Sequence, residues 1–201
     1  MGEGAERARL AIAATLFVAV VLAACQPIAA LAASPTGSTA HSVTALTVAS
    51  GRHADPELEA LLPTTLGGVA LTIESQAGTD LATQSAPFDA FLASLGKTRA
   101  DFSLASAYSQ GGLEAEVGAW RVKGADPALL LPGFKAAVQA SSTTPLTQVE
   151  ETLAGRAVTR IGDPGQLTQG PLYVVVRGNA LLFVQTTERA LAEEAMGKLP
   201  E

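Results

Sequence analysis

Apolar and polar residues follow three different patterns along this chain of 201 residues. Residues 10–24 are apolar or small except for Thr15, and residues 26–54 are rich in small, hydroxylated and turn-forming types. From residue 55 onward, apolar residues recur at the spacings of amphipathic helices and half-buried strands. We therefore expect an N-terminal segment over 1–24, a flexible tether over 25–54 and a single folded domain over 55–201.

Four segments have the apolar spacing and the flanking residues of helices. Two of them begin with Asp followed by Pro, at Asp55 and Asp126, which supplies an N-cap and a suitable first helical residue. Pro132 and Gly133 lie inside the third segment, and we expect them to kink or loosen it because proline removes a backbone donor. The predicted helices are a short one from Pro56 to Pro63 and longer ones over about 87–95, 127–140 and 188–199.

Seven further segments have the composition or the alternation of strands, and most are joined by short turns. Many hairpins and few crossovers predict an α+β fold, with a mainly antiparallel sheet and helices packed on one face. The stretches 101–140 and 171–199 share a hairpin-then-helix plan, which is either a diverged duplication or a common local arrangement. The predicted strands cover about 69–75, 101–109, 113–123, 147–153, 157–161, 172–177 and 180–186.

The apolar run near the N-terminus ends at Leu22-Ala23-Ala24-Cys25, and Cys25 is the only cysteine in the chain. Arg7 and Arg9 precede the run, as basic residues precede the apolar part of a signal peptide. These four residues resemble the lipobox of bacterial lipoproteins. The resemblance implies cleavage before Cys25 and a diacylglyceryl anchor with acyl chains such as palmitate on its thiol. It also implies that the domain is held at a membrane, outside the cytoplasm.

Two other interpretations of the N-terminal run remain open. A transmembrane helix needs about 20 apolar residues, and the chain offers that length only if Gln26 and Pro27 lie inside the membrane. A secreted protein would instead be cut by the ordinary signal peptidase near Ala32. The cysteine count favours lipidation, since a lone cysteine has no partner for an internal disulfide.

Two segments of the predicted domain resemble uncharacterised, predicted lipoproteins of high-GC bacteria. Leu58–Leu71 is similar to the opening of their domain, and Gly178–Thr186 with the helix that follows is similar to its end. The resemblance spans about 58–199 and is carried by packing and turn residues. It supports the predicted fold and implies no activity.

Charge and motifs exclude several classes of function. The formal net charge is −6 with the acidic residues scattered, which argues against binding nucleic acid or an anionic bilayer through bulk charge. Both histidines, His41 and His53, lie in or near the tether, and the sequence contains no Gly-x-Ser-x-Gly or phosphate-loop motif.

We interpret Asp55, Glu57 and Glu59 beside His53 as a solvated helix cap, with a weak divalent-cation site as the alternative. We expect no metal and no cofactor.

Two pairs of carboxylates are the remaining candidates for acid–base chemistry. Glu114 and Glu116 lie two residues apart on a predicted strand and so share a face, whereas Glu150 and Glu151 are adjacent and point opposite ways. We interpret the first pair as part of an exposed strand face. A general acid–base pair would need one of these carboxylates to be partly buried.

Trp120 marks a second candidate surface. It shares its strand face with Glu114, Glu116 and Val122, and this face is either covered by a helix or open for binding. If it is open, the predicted ligand or partner surface consists of Trp120, Tyr108, Arg121 and Lys123.

Together these observations favour a non-catalytic module, anchored by lipid outside the cytoplasm, that binds a protein, an envelope polymer or a small ligand. A carrier of a lipid or other hydrophobic ligand is one alternative, and it requires a cavity between sheet and helices. An enzyme with a carboxylate-based site is the other, and it requires buried neighbouring acids.

Overall fold

The computed structural model describes residues 53–81, 85–109, 112–162 and 170–200. Cys25 and nearly all of the predicted tether lie outside these residues. Within the described ranges the α-helices are α1 (Pro56–Glu59), α2 (Ala86–Ser94), α3 (Pro127–Ser141) and α4 (Arg189–Lys198). The strands in these ranges are β1 (Thr65–Leu66), β2 (Val69–Ala70), β3 (Thr72–Ala77), β4 (Phe102–Tyr108), β5 (Ala115–Val122), β6 (Thr147–Leu153), β7 (Arg156–Gly162), β8 (Leu172–Arg177) and β9 (Ala180–Thr186).

Seven of the strands form one antiparallel sheet in the order β3-β4-β5-β9-β8-β7-β6. The sheet consists of two runs of sequential hairpins, β3 to β5 and β6 to β9, which meet where β5 pairs with β9. Strands β1 and β2 form a separate two-stranded hairpin. The predicted α+β class with a mainly antiparallel sheet is confirmed.

Helices cover both faces of this sheet, whereas the sequence predicted them on one face. Helices α2 and α3 pack on the face that carries Trp120, which we call face A. Helices α1 and α4, with the β1–β2 hairpin, pack on the opposite face, face B, against Val117 and Leu182. The physical reason is that the central strands β5 and β9 carry buried residues on both sides, so each side needs a cover.

The two hairpin-then-helix stretches differ in this arrangement. Helix α3 follows the β4–β5 hairpin on face A, and α4 follows the β8–β9 hairpin on face B. A two-fold axis that exchanges the antiparallel neighbours β5 and β9 runs perpendicular to the sheet, so it would place both helices on the same face. Because α3 and α4 lie on opposite faces, the two stretches are not related by such an axis.

Helix α3 continues through Pro132 to Ser141. Asp126 caps it by accepting a hydrogen bond from the backbone N of Ala128 at 2.9 Å. Gly133 has a packing role instead, because a Cβ at this position would lie 3.1 Å from Cδ2 of Phe91 on α2. The absent side chain lets the two helices of face A approach each other closely.

Gly118 on β5 is required by a still closer contact. A Cβ built there would lie 2.2 Å from Cζ of Phe183, in the buried layer under α2 and α3. We expect Gly118→Ala to destabilise the domain by about 1–3 kcal/mol, because the Phe183 ring must leave its position. Urea unfolding of the purified protein measures this change in the free energy of unfolding.

Gly197→Ala is the matched control, since Gly197 lies exposed on α4 with only an ordinary contact of 3.5 Å to Ala154 Cβ. This substitution should stabilise the domain by about 0.5–1 kcal/mol through helix propensity. Equal effects of the two alanines would contradict the proposed packing of Phe183 over Gly118.

Candidate functional site

Trp120 is the centre of the aromatic packing on face A. Its side chain is only 4% exposed, and its ring centroid lies 5.0 Å from that of Phe134 and 5.5 Å from that of Phe102. The rings of Phe88, Phe91 and Phe183 lie at 5.8, 6.2 and 6.2 Å. The structure thus supports the covered alternative for this face at Trp120, with α2 and α3 as the cover.

The four residues of the predicted ligand surface do not form one surface. Trp120 is buried on face A. Tyr108 is half-buried on the same face of the neighbouring strand, four residues beyond Leu104, the residue that pairs with Trp120. Arg121 projects from face B, and Lys123 is exposed beyond the end of β5. The prediction failed because successive residues of a strand point to opposite faces, which separates Trp120 from its neighbour Arg121.

Arg121 instead belongs to a network that fixes the start of the domain. Its Nη1 lies 2.8 Å from Oδ1 of Asp55 and 3.3 Å from a carboxylate oxygen of Glu57. Asp55 is buried, accepts a hydrogen bond from the backbone N of Leu58 as the predicted N-cap, and also accepts one from the Ser103 hydroxyl. The Arg121 guanidinium therefore has a structural partner and is not presented to a ligand.

His53 lies at the edge of this network. Its Nδ1 is 3.0 Å from both carboxylate oxygens of Glu59, and Glu59 also accepts a hydrogen bond from the Ser75 hydroxyl. Within the described ranges, no group of three or more His, Cys, Asp or Glu side chains is placed to hold a metal ion. Glu59 on α1 therefore connects His53, the first described residue, to Ser75 on β3.

The strand register brings polar side chains together on another part of face A. Glu74 on β3 pairs with Ser106 on β4, and Ser106 pairs with Gly118 on β5. Tyr108 and Glu116 come next along the same two strands, and Glu116 pairs with Gln185 on β9. We call Glu74, Ser106, Tyr108, Glu116 and Gln185 the polar group of face A.

Glu116 is the most unusual member of the polar group. It is 8% exposed, and its Oε1 atom has no hydrogen-bond partner among the described residues. Burial raises the pKa of its carboxyl from the ordinary 4.5 to about 8, because desolvation penalises the ionised form. Glu74 and Ser106, on the neighbouring strand pair, are also buried.

The interpretation of Glu114 and Glu116 as an exposed strand face is wrong for Glu116. Glu114 is exposed and precedes the first residue of β5, whereas Glu116 lies inside the strand on the covered face. Glu150 and Glu151 do point to opposite faces: Glu150 accepts a hydrogen bond from Thr159 near Lys135, and Glu151 contacts Arg160 and Arg189. Both of these have cationic partners, which leaves Glu116 as the distinctive carboxyl.

Comparisons with protein-family models, with curated proteins and with solved structures gave no match. Among the described residues, no helix has both the length and the apolar character that a membrane span requires.

The raised pKa of Glu116 makes a prediction about stability. Between pH 4.5 and 8 the folded protein holds a proton on Glu116 that the unfolded chain releases, so the free energy of unfolding falls as the pH rises. The slope from this one group approaches about 1.4 kcal/mol per pH unit within that window. Glu116→Gln stays neutral, so it should lose this slope and be more stable than the natural protein at pH 8.

Urea unfolding at pH 5 and pH 8 checks this prediction. Glu114→Gln is the matched control, since Glu114 is exposed two residues away and should leave the pH dependence unchanged. A Glu116→Gln protein with the natural pH slope would show that Glu116 ionises normally in the fold.

Proposed function

We propose that this chain is a lipid-anchored binding module that works outside the cytoplasm. The support for the anchor is the sequence Leu22-Ala23-Ala24-Cys25 at the end of an apolar run that follows two arginines. The first described helix is capped by Asp55, 30 residues beyond Cys25. If the residues between them act as the predicted tether, a root-mean-square reach of roughly 30 Å would hold the domain clear of a bilayer.

The observation that carries the binding role is the unpartnered Oε1 atom of buried Glu116. Leaving a buried polar atom without a partner costs about 1–3 kcal/mol, and a catalytic role or a bound water, ion or ligand would account for that cost. The other polar side chains of its group sit on adjacent strands, which are rigid supports for binding residues. The proposal is therefore a binding module whose ligand contacts the polar group of face A.

A second candidate function is an enzyme that uses Glu116 as a general acid or base. The observation that favours it is the pKa of about 8, since acid–base catalysis is most effective near the operating pH. The alternative of a hydrophobic-ligand carrier has less support, because aromatic rings fill the layer between α2, α3 and the sheet around Trp120.

Substitution of the anchor residue tests the location. Cys25→Ser removes the only thiol, so we expect the full-length protein to move from the membrane fraction to the soluble fraction of cells that express it. Intact mass of the natural protein should show loss of residues 1–24 and addition of acyl chains on Cys25. His41→Ala is the control within the same segment and should stay with the membrane.

A Cys25→Ser protein that still sediments with the membrane, or a natural protein whose mass shows an uncut N-terminal segment, would contradict the proposed anchor. The binding role is tested separately with the detergent-solubilised full chain. Ligand-dependent stabilisation without turnover supports a binding module, whereas turnover that Glu116→Gln abolishes supports the enzyme.

A further inference from the structure

We propose that two copies of this chain associate through the β6 edge of the sheet, in antiparallel pairing about a two-fold axis at Val149. This association goes beyond the proposed binding function and does not depend on it. The seven-stranded sheet ends at β3 on one side and at β6 on the other. Among the described residues, β6 pairs with β7 alone, so the other side of its backbone is left without a strand.

The two edges of the sheet differ in what occupies them. At β3, His53 forms a parallel bridge with Ser75, and the backbone N of Ala54 donates to the Ser75 carbonyl oxygen at 3.3 Å. The chain then continues into α1, which packs beside β3. The entering chain thus takes part of the β3 edge, and β6 is the edge that remains for a partner. One available edge gives a closed pair of copies, whereas two would give an open polymer.

Strand β6 has few of the features that usually protect an exposed edge. It contains no proline and no lysine, and all of its residues pair with β7 in one continuous register. Its two acidic side chains have cationic partners in the chain, since Glu150 Oε1 lies 3.5 Å from Lys135 Nζ and Glu151 Oε2 lies 3.3 Å from Arg189 Nη1. Val149 is 41% exposed, an unusual position for a large apolar side chain. An extended partner on this edge would cover it.

The turn between β6 and β7 determines which backbone groups of β6 face outward. Ala154 and Gly155 have φ angles of 50° and 79°, as in a two-residue type I′ turn, so the flanking residues of the two strands are hydrogen-bonded to each other. Bonded pairs alternate along an antiparallel ladder, so every second residue of β6 bonds to β7. The N–H and C=O groups of the remaining residues point away from β7, and these residues are Gln148, Glu150 and Thr152.

Charge and strand length select one register for two copies of β6. Antiparallel pairing requires outward-facing residues of one copy to oppose outward-facing residues of the other. A register centred on Glu150 or Glu151 places a carboxylate directly opposite its own copy, which is unfavourable. A register centred on Gln148 keeps only residues 147–149 of each β6 in the pairing, whereas one centred on Val149 keeps residues 147–151.

The register centred on Val149 is complementary at each position. Val149 opposes Val149 of the second copy in a non-bonded pair, the kind in which side chains come closest, and both valines become buried. Gln148 opposes Glu150 of the second copy, so an amide donor meets a carboxylate at each end of the interface. A single pair of strands is a small interface, and we expect a dissociation constant on the order of 10 μM.

Disulfide formation at the axis tests the register. The Cα atoms of a non-bonded antiparallel pair are about 4.5 Å apart, which a disulfide can span. Val149→Cys in the full-length protein, oxidised with copper phenanthroline in the cells that express it, should give a disulfide-linked dimer on a non-reducing gel. Thr152→Cys is the matched control, since its two copies would lie about 20 Å apart, and it should give at least about tenfold less dimer. The natural protein controls for any contribution of Cys25.

The charge at position 148 tests the pairing by a second route. Gln148 is exposed, so its substitution should leave the unfolding temperature unchanged. Gln148→Glu places two carboxylates opposite each other at each end of the interface and should weaken the dimer roughly fivefold, whereas Gln148→Lys should strengthen it by a similar factor. Sedimentation velocity of the full-length protein in a density-matched detergent, between about 1 and 200 μM, measures the dissociation constants.

The inference is overturned if the natural protein stays monomeric throughout this range, or if Val149→Cys forms no more dimer than Thr152→Cys. Equal dissociation constants for Gln148→Glu and Gln148→Lys would also overturn it. Crosslinking of Val149→Cys to a different polypeptide, without the dimer, would overturn it in favour of an edge that takes an extended segment of another protein.

Discussion

The packing of five phenylalanine rings around Trp120 is the interaction on which face A depends. The chain has one Trp and six Phe, and five of these Phe contact the indole from α2, α3, β4 and β9. Four of the five pairs are edge-to-face, and each such pair contributes about 0.5–1.5 kcal/mol beyond burial. The chain has nine aromatic residues, and six of them are concentrated in this cluster where the helices join the sheet.

Glu116 lies on the same strand face as Trp120, four residues earlier on β5, and is only 8% exposed. The cost of burying this carboxyl is lowered because its ionised form is avoided, in keeping with its raised pKa. The domain therefore keeps an acidic group in its interior in the neutral form.

Much of the fold could be predicted because local signals agreed with the final structure. The Asp-Pro starts of α1 and α3 and the Gly178-Asn179 turn are short-range features that tertiary contacts reinforce. The second helical layer was not predicted, because the small residues Ala115, Val117 and Ala119 on face B gave no sign of the partners they receive. Helix α3 accommodates Pro132, since its packing against the sheet compensates for one missing hydrogen bond.

The candidate site was predicted only in part, and for a geometric reason. Sequence alternation correctly placed Glu116 on the face of Trp120, but whether that face was covered depended on contacts between residues far apart in the chain. Glu116 lies four residues from Trp120 on β5, about 13 Å along the strand, so its burial is a separate result of the tertiary fold. The contacts of Arg121 could not be predicted from its local sequence, since its acidic partners lie more than 60 positions earlier.

The polar contacts of Asp55 have a mechanical consequence. Its backbone N donates to Ser75 on β3, while its carboxylate binds Ser103 on β4 and Arg121 on β5. A force applied to the chain at residue 53 therefore acts on three neighbouring strands and not on the edge strand β3 alone. Unfolding from this end of the domain therefore requires several polar contacts to break together.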